Sequence, residues 1–373
     1  MLRSHPSPDL TRRRLLLGAA ALGAATPAMV ACSPRPGHED IARDLRRSID
    51  MNTGDRPLLL RELVRYSTLA PSSHNTQCWK FHVREGSITI EPDLSRRCPI
   101  VDPDDHHMFV SLGCATENLA HAALANGLQA DAQFDAAGAG TVEIGLEATK
   151  AMSSPLFQAI AERQCTRGDY DGKPISSDEL RLLERAGSGN GVRVMLLTER
   201  AAMERVLEYV VAGNTAQMSD PAFVAELKTW IRFGAAEAER TGDGLFSGTT
   251  GTPVMPRWLG SRLMGLFFTP KSENDRYARQ VRNSAGIAVF ASDASDKTHW
   301  IESGRCYERF ALQATALGLR NAFLNQPVEV GTIRPQFASV LGLGSQRPDL
   351  VVRYGRGPAM PLSMRRPVQA VLV

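Results

Sequence analysis

Two stretches of this 373-residue chain are spelled alike at a fixed distance, and that repeat limits its architecture more than anything else in it. Residues 112–128 and 303–319 each read as an alanine-rich helix closed by a glycine, Gly127 and Gly318. At an offset of 191, Gly113 aligns with Gly304, Glu117 with Glu308, Ala120 with Ala311, Ala123 with Ala314 and Leu128 with Leu319. Small residues let helix backbones approach closely, so the two helices are expected to pack on each other. Two unrelated helices that both stop at glycine would share the ending, so the repeat needs support from elsewhere.

A weaker echo supplies some. Residues 70–75 precede the strand pattern Lys80-Phe81-His82-Val83, and residues 186–190 precede 192–197, at the smaller offset of 116. The second half then carries the difference between the offsets as extra chain, placed within 199–285. Inside it, Gly242–Pro270 is punctuated by Gly, Thr and Pro and holds Leu245, Phe246, Trp258, Leu266, Phe267 and Phe268. It reads either as a lid or binding loop or as a helical insertion with a small core of its own. Residues 81–83 and 87–90 form a hairpin pattern around Arg84-Glu85-Gly86, and 142–146, 192–197, 287–290, 322–324 and 350–354 are further strands. Helices outnumber strands, which is an α+β pattern. With 43% hydrophobic and 22% charged residues the chain is an ordinary globular one. Six cysteines without a C-x-x-C pair argue against a disulfide scaffold and a zinc ribbon.

The N-terminus reads as an address. Arg12-Arg13-Arg14 precedes Leu15-Leu16-Leu17 and an Ala/Gly/Leu run to Ala31, a charged segment followed by a short apolar one, as in a secretory signal. Paired arginines before leucines resemble a twin-arginine (Tat) signal. Met29-Val30-Ala31-Cys32 resembles a lipobox, in which Cys32 would be lipidated and anchor the chain to a membrane; plain cleavage after Ala31 is the other reading. The expected organisation is an export signal at 1–31, a tether at 32–55 and an exported, periplasmic or cell-envelope body. The whole formal charge of +3 sits in residues 1–31, as Arg3, Arg12, Arg13 and Arg14 against Asp9. A body of zero net charge argues against a nucleic-acid partner.

The most informative string is Ala70-Pro71-Ser72-Ser73-His74-Asn75-Thr76-Gln77-Cys78-Trp79-Lys80-Phe81. It resembles the A-P-S-x-x-N-x-Q-P-W-x-F signature of the FMN-dependent nitroreductase superfamily, with Cys78 in place of proline. Such a turn offers backbone N–H groups and short donors that suit the polar edge and phosphate of a flavin. Arg163-Gln164-Cys165-Thr166-Arg167 is similar to the family's R-x-S-x-R string, whose arginines approach the FMN phosphate and ribityl chain. Arginine suits that role through its fixed fork of donors. Residues 319–329, with Asn325, Gln326 and Pro327, resemble by position the segment beside the isoalloxazine ring. Arg365-Arg366 resembles the terminal basic pair that completes the phosphate pocket; a solvated tail is the alternative. In their order these strings look like the Acg-type branch, in which two degenerate nitroreductase-like halves in one chain imitate the usual homodimer.

That resemblance implies halves at 56–150 and 151–373 and a monomer with one FMN site. Pro71, Ser72, Ser73 and Asn75 would come from the first half, and Arg163, Gln164, Arg167, Asn325, Gln326, Pro327, Arg365 and Arg366 from the second. Arg46-Arg47-Ser48 would be a relic of the lost second site. The implied activity is an FMN-dependent oxidoreductase, passing electrons from an unknown reduced donor through flavin N5 to a small aromatic, quinone or nitro acceptor. The flavin carries that chemistry, so no catalytic side chain is demanded. The branch also implies a closed flavin site, and a non-catalytic FMN-binding or sequestering protein is the alternative. Asp102-Pro103-Asp104-Asp105-His106-His107 reads as a solvated acidic turn, and no metal is expected.

Overall fold

The computed structural model describes residues 37–48 and 55–373; the expected signal at 1–31 and, within the tether, residues 32–36 (Cys32 included) and 49–54 lie outside the described residues. The first half starts with helices α1 (His38–Asp44) and α2 (Arg56–Thr68). A hairpin of β1 (Trp79–Val83) and β2 (Ser87–Pro92) follows, then the long helix α3 (His106–Ala125), then β3 (Leu128–Phe134) and β4 (Val142–Ala148). The second half opens with α4 (Pro155–Ala159), α5 (Ser177–Ala186) and β5 (Val192–Leu197). Its insertion holds α6 (Arg200–Ser219), α7 (Pro221–Trp230), β6 (Ile231–Arg232), α8 (Ala235–Thr241), β7 (Leu245–Phe246), α9 (Arg257–Phe267) and α10 (Pro270–Arg282). The plan then resumes with β8 (Gly286–Ser292), the long α11 (Lys297–Ala316), β9 (Arg320–Phe323), α12 (Gln326–Glu329), α13 (Arg334–Val340) and β10 (Arg347–Gly355).

Each half forms an antiparallel four-stranded sheet, ordered β1-β2-β4-β3 in the first and β5-β8-β10-β9 in the second. Numbered along each half, both orders are first, second, fourth, third. The repeat read from the two helices is therefore a repeat of topology. The helices meet at their aligned glycines. A methyl group on Gly113 would fall 2.0 Å from the Ile301 carbonyl oxygen, and one on Gly304 would fall 2.0 Å from the Val110 carbonyl oxygen. Val110 and Ile301 are themselves 191 apart, so the contact is its own mirror across a pseudo-twofold axis. Around it one apolar core runs through both halves, from Leu63, Trp79 and Phe81 to Phe290, Tyr307 and Phe310.

The chain ends bind the halves together. The segment after β10 returns to the first sheet, where Phe81 N–H donates to Val371 O (2.7 Å) and Val373 N–H to Phe81 O (3.1 Å). At the second sheet, Thr166 N–H donates to Asn321 O (2.8 Å). The insertion is mainly helical, as the second of the two sequence readings has it; α6 packs on the second sheet through Met203, Val206 and Val210, and α7 turns its apolar side chains onto the first half. Phe223 and Leu227 of α7 pack with Cys98 and Val101, joined by Trp230 and Met264. The Glu226 carboxylate accepts the N–H groups of Ile100 and Val101, each at 3.0 Å. Strand β3 was not expected from the sequence.

Candidate functional site

The signature string folds into a strained turn. His74, Asn75 and Gln77 hold φ values of 49°, 54° and 54°, left-handed backbone in residues other than glycine. Each such residue costs about 1 kcal/mol or more unless its surroundings over-determine it. Here they do. Asn75 Nδ2 donates to Gly244 O (3.1 Å) and Met364 O (3.2 Å), and Gly244 N–H donates back to Asn75 O (3.1 Å). Gln77 Nε2 donates to Gly242 O (2.8 Å), its Oε1 accepts Arg366 N–H (2.8 Å), and its own N–H donates to Ser72 Oγ (2.9 Å). Asn75 and Gln77 thus staple the turn to the base of the insertion and to the C-terminal segment. The Ser73 hydroxyl has no partner among the described residues. Cys78, standing where the family has proline, is buried, and burial pushes its thiol up to about 12.

His74 lies 3.6 Å from Cys98 Sγ through Nδ1. Burial, then the charges of Arg167 and His107, lower its pKa to about 4. An imidazole held below its unfolded value contributes stability above that value, about 6.5, and loses it as the pH falls toward 4. Over that window the wild type is expected to lose up to about 3 kcal/mol more than His74→Asn in chemical denaturation. Asparagine tolerates the left-handed backbone, and parallel acid limbs in the two proteins would refute the effect.

A second cluster is cationic. Arg46, Arg163 and Arg365 are all buried; Arg46 is lowered by burial and then Arg163, and Arg365 by burial and then Arg46 and Arg163, while Arg163, against its burial, is raised by Glu308. The acid joined to them is Glu308, whose Oε1 is 3.0 Å from Arg163 Nε. Burial pushes Glu308 up to about 7 against the pull of Arg163. Arg365 has every donor engaged: Nε on Thr68 O, Nη1 on Ser363 Oγ and Met364 O, Nη2 on Leu69 O and Ala70 O. It supplies charge rather than a free N–H. Arg163 Nη2 donates to Leu69 O (2.7 Å), while its Nη1 has no partner among the described residues. Arg366 does not join this group; it is held by Gln77 and Ala370 and lies 3.9 Å from Asp93. Gln164 is engaged by the Met360 backbone through both side-chain atoms.

Arg163 and Arg167 lie on a non-helical segment, so their Cα atoms are separated by up to about 13 Å. At the far end the Arg167 guanidinium, unpartnered among the described residues, sits close enough to His74 and Tyr277 to act on both their pKa values. From α3, His107 also acts on His74. Asn325 joins the two halves here, with Nδ2 3.3 Å from His107 Nε2 and Oδ1 accepting Val351 N–H (3.0 Å). Pro327 and Gln326 are buried beside it, and among the described residues Gln326 Oε1 has no hydrogen-bond partner.

The acidic-histidine string is not a solvated turn. Asp102, His106 and His107 are buried, with potential ligand atoms within 4.8 Å of one another. The reason is long-range: the Asp102 carboxylate caps α3, accepting His107 N–H and Met108 N–H, each at 3.0 Å. Burial works against charge on both His107 and Asp102, yet their mutual attraction raises the first pKa and lowers the second. His106 Nε2 faces Asp349 Oδ1 at 3.0 Å. Burial drives the histidine down and the acid up, to about 7, and Arg347 Nε lies 3.3 Å from the same carboxylate oxygen.

No protein-family model matches the chain. Over 329 residues, 84% of this chain and 90% of the other, it is 23% identical to a Mycobacterium tuberculosis H37Rv protein provisionally named an NAD(P)H nitroreductase. An uncharacterized protein of the same organism is 24% identical over 339 residues, 84% of this chain and 92% of its own. Over most of its length the chain is thus similar to a protein named as a nitroreductase. Among solved structures, an FMN-bound nitroreductase from Bacteroides fragilis overlaps it at a TM-score of 0.35 and 14% identity, over 55% of this chain and 90% of that one. Nitroreductase NfnB from Mycobacterium smegmatis, in complex with NADPH, gives 0.35 and 14%, over 54% and 87%.

Arg46 lies elsewhere than its sequence suggests. It was expected as a relic of the second site, and it lies with Arg163 and Arg365 at the first, with Nη2 donating to Ser363 O (2.9 Å). At the pseudo-symmetric position a cavity of about 240 Å³ remains, lined by Asn190, Thr298, Glu302, Arg305 and Phe134 among others. The arginines there are matched by carboxylates: Arg305 Nε to Glu117 (3.0 Å) and Nη1 to Glu302 (3.5 Å), with Arg309 Nη2 also on Glu302 (3.1 Å). No surplus of positive charge is gathered there.

Proposed function

We propose that the chain is an FMN-dependent oxidoreductase with one flavin site shared by its two halves. The observation that carries the reading is the charge at the Arg46–Arg163–Arg365 cluster: three buried guanidinium groups around one buried carboxylate, Glu308, with only the less buried Glu39 and Glu162 acting on Arg46 besides. Buried charge of one sign calls for a counter-ion, and a terminal phosphate dianion fits both the surplus and the free Nη1 of Arg163. Arg163 and Arg46 would hold the phosphate, while Arg365 would orient the carbonyls of residues 68–70 and add charge. The extended run to Arg167 would follow the ribityl chain. Arg167, His74, His107 and Asn325 would then border the ring, with Arg167 supplying positive charge at its edge. Bound FMN would supply the redox chemistry; the protein orients it, balances its charge and excludes water. Kinship with a protein named for NAD(P)H-dependent nitro reduction supports a small nitro, quinone or aromatic acceptor.

A sequestering role is favoured by one feature, the seating of α7 over the first half through Glu226, Phe223 and Leu227. We also infer from residues 1–31 that the protein is exported through the Tat route and acts as a monomer outside the cytoplasm, held by Cys32 if that residue is lipidated. One experiment separates turnover from storage. The FMN-loaded protein is mixed anaerobically with NADPH and, separately, its dithionite-reduced form is mixed with a naphthoquinone. An oxidoreductase reoxidises rapidly with the quinone whichever donor reduced it. Flavin that neither NADPH reduces nor quinone reoxidises contradicts the enzymatic reading.

A further inference from the structure

Among the described residues, Phe267, Leu266 and Trp258 are the most exposed large apolar side chains, at 71%, 69% and 65%, and Val254 nearby is at 52%. All lie on or beside α9 in the insertion. The inner side of this helix is already used: Gly260 abuts Phe233, and Met264 packs into the cluster of Phe223 and Leu227. Trp258, Arg262 and Leu266 follow at four-residue spacing on the other side, so α9 is apolar on both faces while only one is covered. From Val254 to Pro270 the chain contains Arg257 and Arg262 and no acidic residue. Arg257 reaches Glu237, and Arg262 has no partner among the described residues.

We propose that this face of α9 docks on an anionic lipid membrane surface. A short helix with an exposed tryptophan, two further large apolar side chains and basic neighbours has the chemistry of an interfacial anchor. It is too short to cross a bilayer, and among the described residues no helix is long and apolar enough to do so. Protein recognition fits less well. A specific interface needs about 800 Å² from each partner, more than one eleven-residue helix face presents, and the patch offers a single unpaired polar group, Arg262. Lipid asks only for apolar depth and positive charge. Because α9 belongs to the insertion packed beside the signature turn, docking would bring that cover to the lipid boundary, where a lipophilic quinone dissolves; that consequence rests on the oxidoreductase reading, and the docking itself does not.

The test uses the full chain with Cys32→Ser, which removes any acyl anchor, and vesicles of phosphatidylcholine with or without phosphatidylglycerol. The protein is expected to sediment with the anionic vesicles about tenfold more than a Trp258→Ser/Leu266→Ser/Phe267→Ser variant, with the difference shrinking at high salt. Fluorescence should shift to the blue on binding, and Trp258→Phe should abolish the shift. The apolar segment before residue 32 is common to both proteins, so it cannot produce the difference. Equal sedimentation of the two would overturn the proposal. So would Trp258 shielded from acrylamide before lipid is added, which would mean that another part of the chain covers the patch, or a dimer that the triple variant dissolves.

Discussion

Gly304→Ala is expected to cost about 3 kcal/mol of folding stability, and Gly113→Ala about the same. Each methyl would land 2.0 Å from a backbone carbonyl of the facing helix, Val110 O or Ile301 O, where no rotamer change relieves the clash. The helices must separate, and the packing of Leu112, Cys306 and Phe310 around the crossing loosens with them. Once one substitution has opened the crossing, the other finds part of the room already made. The double variant is therefore expected to fall short of the sum by 1 kcal/mol or more, as coupled neighbours do. Urea denaturation of the four proteins gives the cycle. Small, additive losses would mean that α3 and α11 do not meet at these glycines.

The two helices were legible because close backbone approach admits only small residues, and that requirement leaves its trace in the spelling at Gly113 and Gly304. The hairpin of β1 and β2 was legible for a similarly local reason, alternation around Arg84-Glu85-Gly86. Strand β3 was hidden because the inward positions of its Leu-Gln-Ala-Asp-Ala-Gln-Phe alternation are filled twice by alanine, with no β-branched residue, and it follows a helix-ending glycine directly. Burial created over long range could not be read at all. Asp102 looks solvated until α3 is seen to start on it. Arg46 looks like a relic until the return of residues 362–365 draws it to Arg163. Glu117 and Glu308 show both limits: their pairing was visible at 191, but the first binds Arg305 and Arg309 of the opposite helix and the second binds Arg163.

Arg163→Ala carries the second large effect. It removes the guanidinium that has a free Nη1 beside two others whose donors serve Ala42, Ser363 and residues 68–70. Deleting one charged hydrogen-bonding partner of a buried anion costs about 2–5 kcal/mol, so FMN is expected to bind at least about thirtyfold more weakly. Riboflavin, which lacks the phosphate, should bind wild type and variant alike. The substitution also leaves Glu308 without its ion pair. That acid is already pushed up to about 7, so it can take a proton rather than remain a bare buried charge. The FMN-to-riboflavin affinity ratio is insensitive to a general loss of folded protein, and an unchanged ratio would remove phosphate from the arginine cluster.

The account rests most heavily on one site assembled from two halves of a single chain. The direct measurement is the flavin released by heat from FMN-saturated protein, set against chain concentration in a fraction whose mass is determined at the same time. One FMN on a monomer is the predicted result. Two per chain would mean that the pseudo-symmetric cavity near Asn190 and Arg305 is a second working site, and none after saturation would contradict the flavin reading itself.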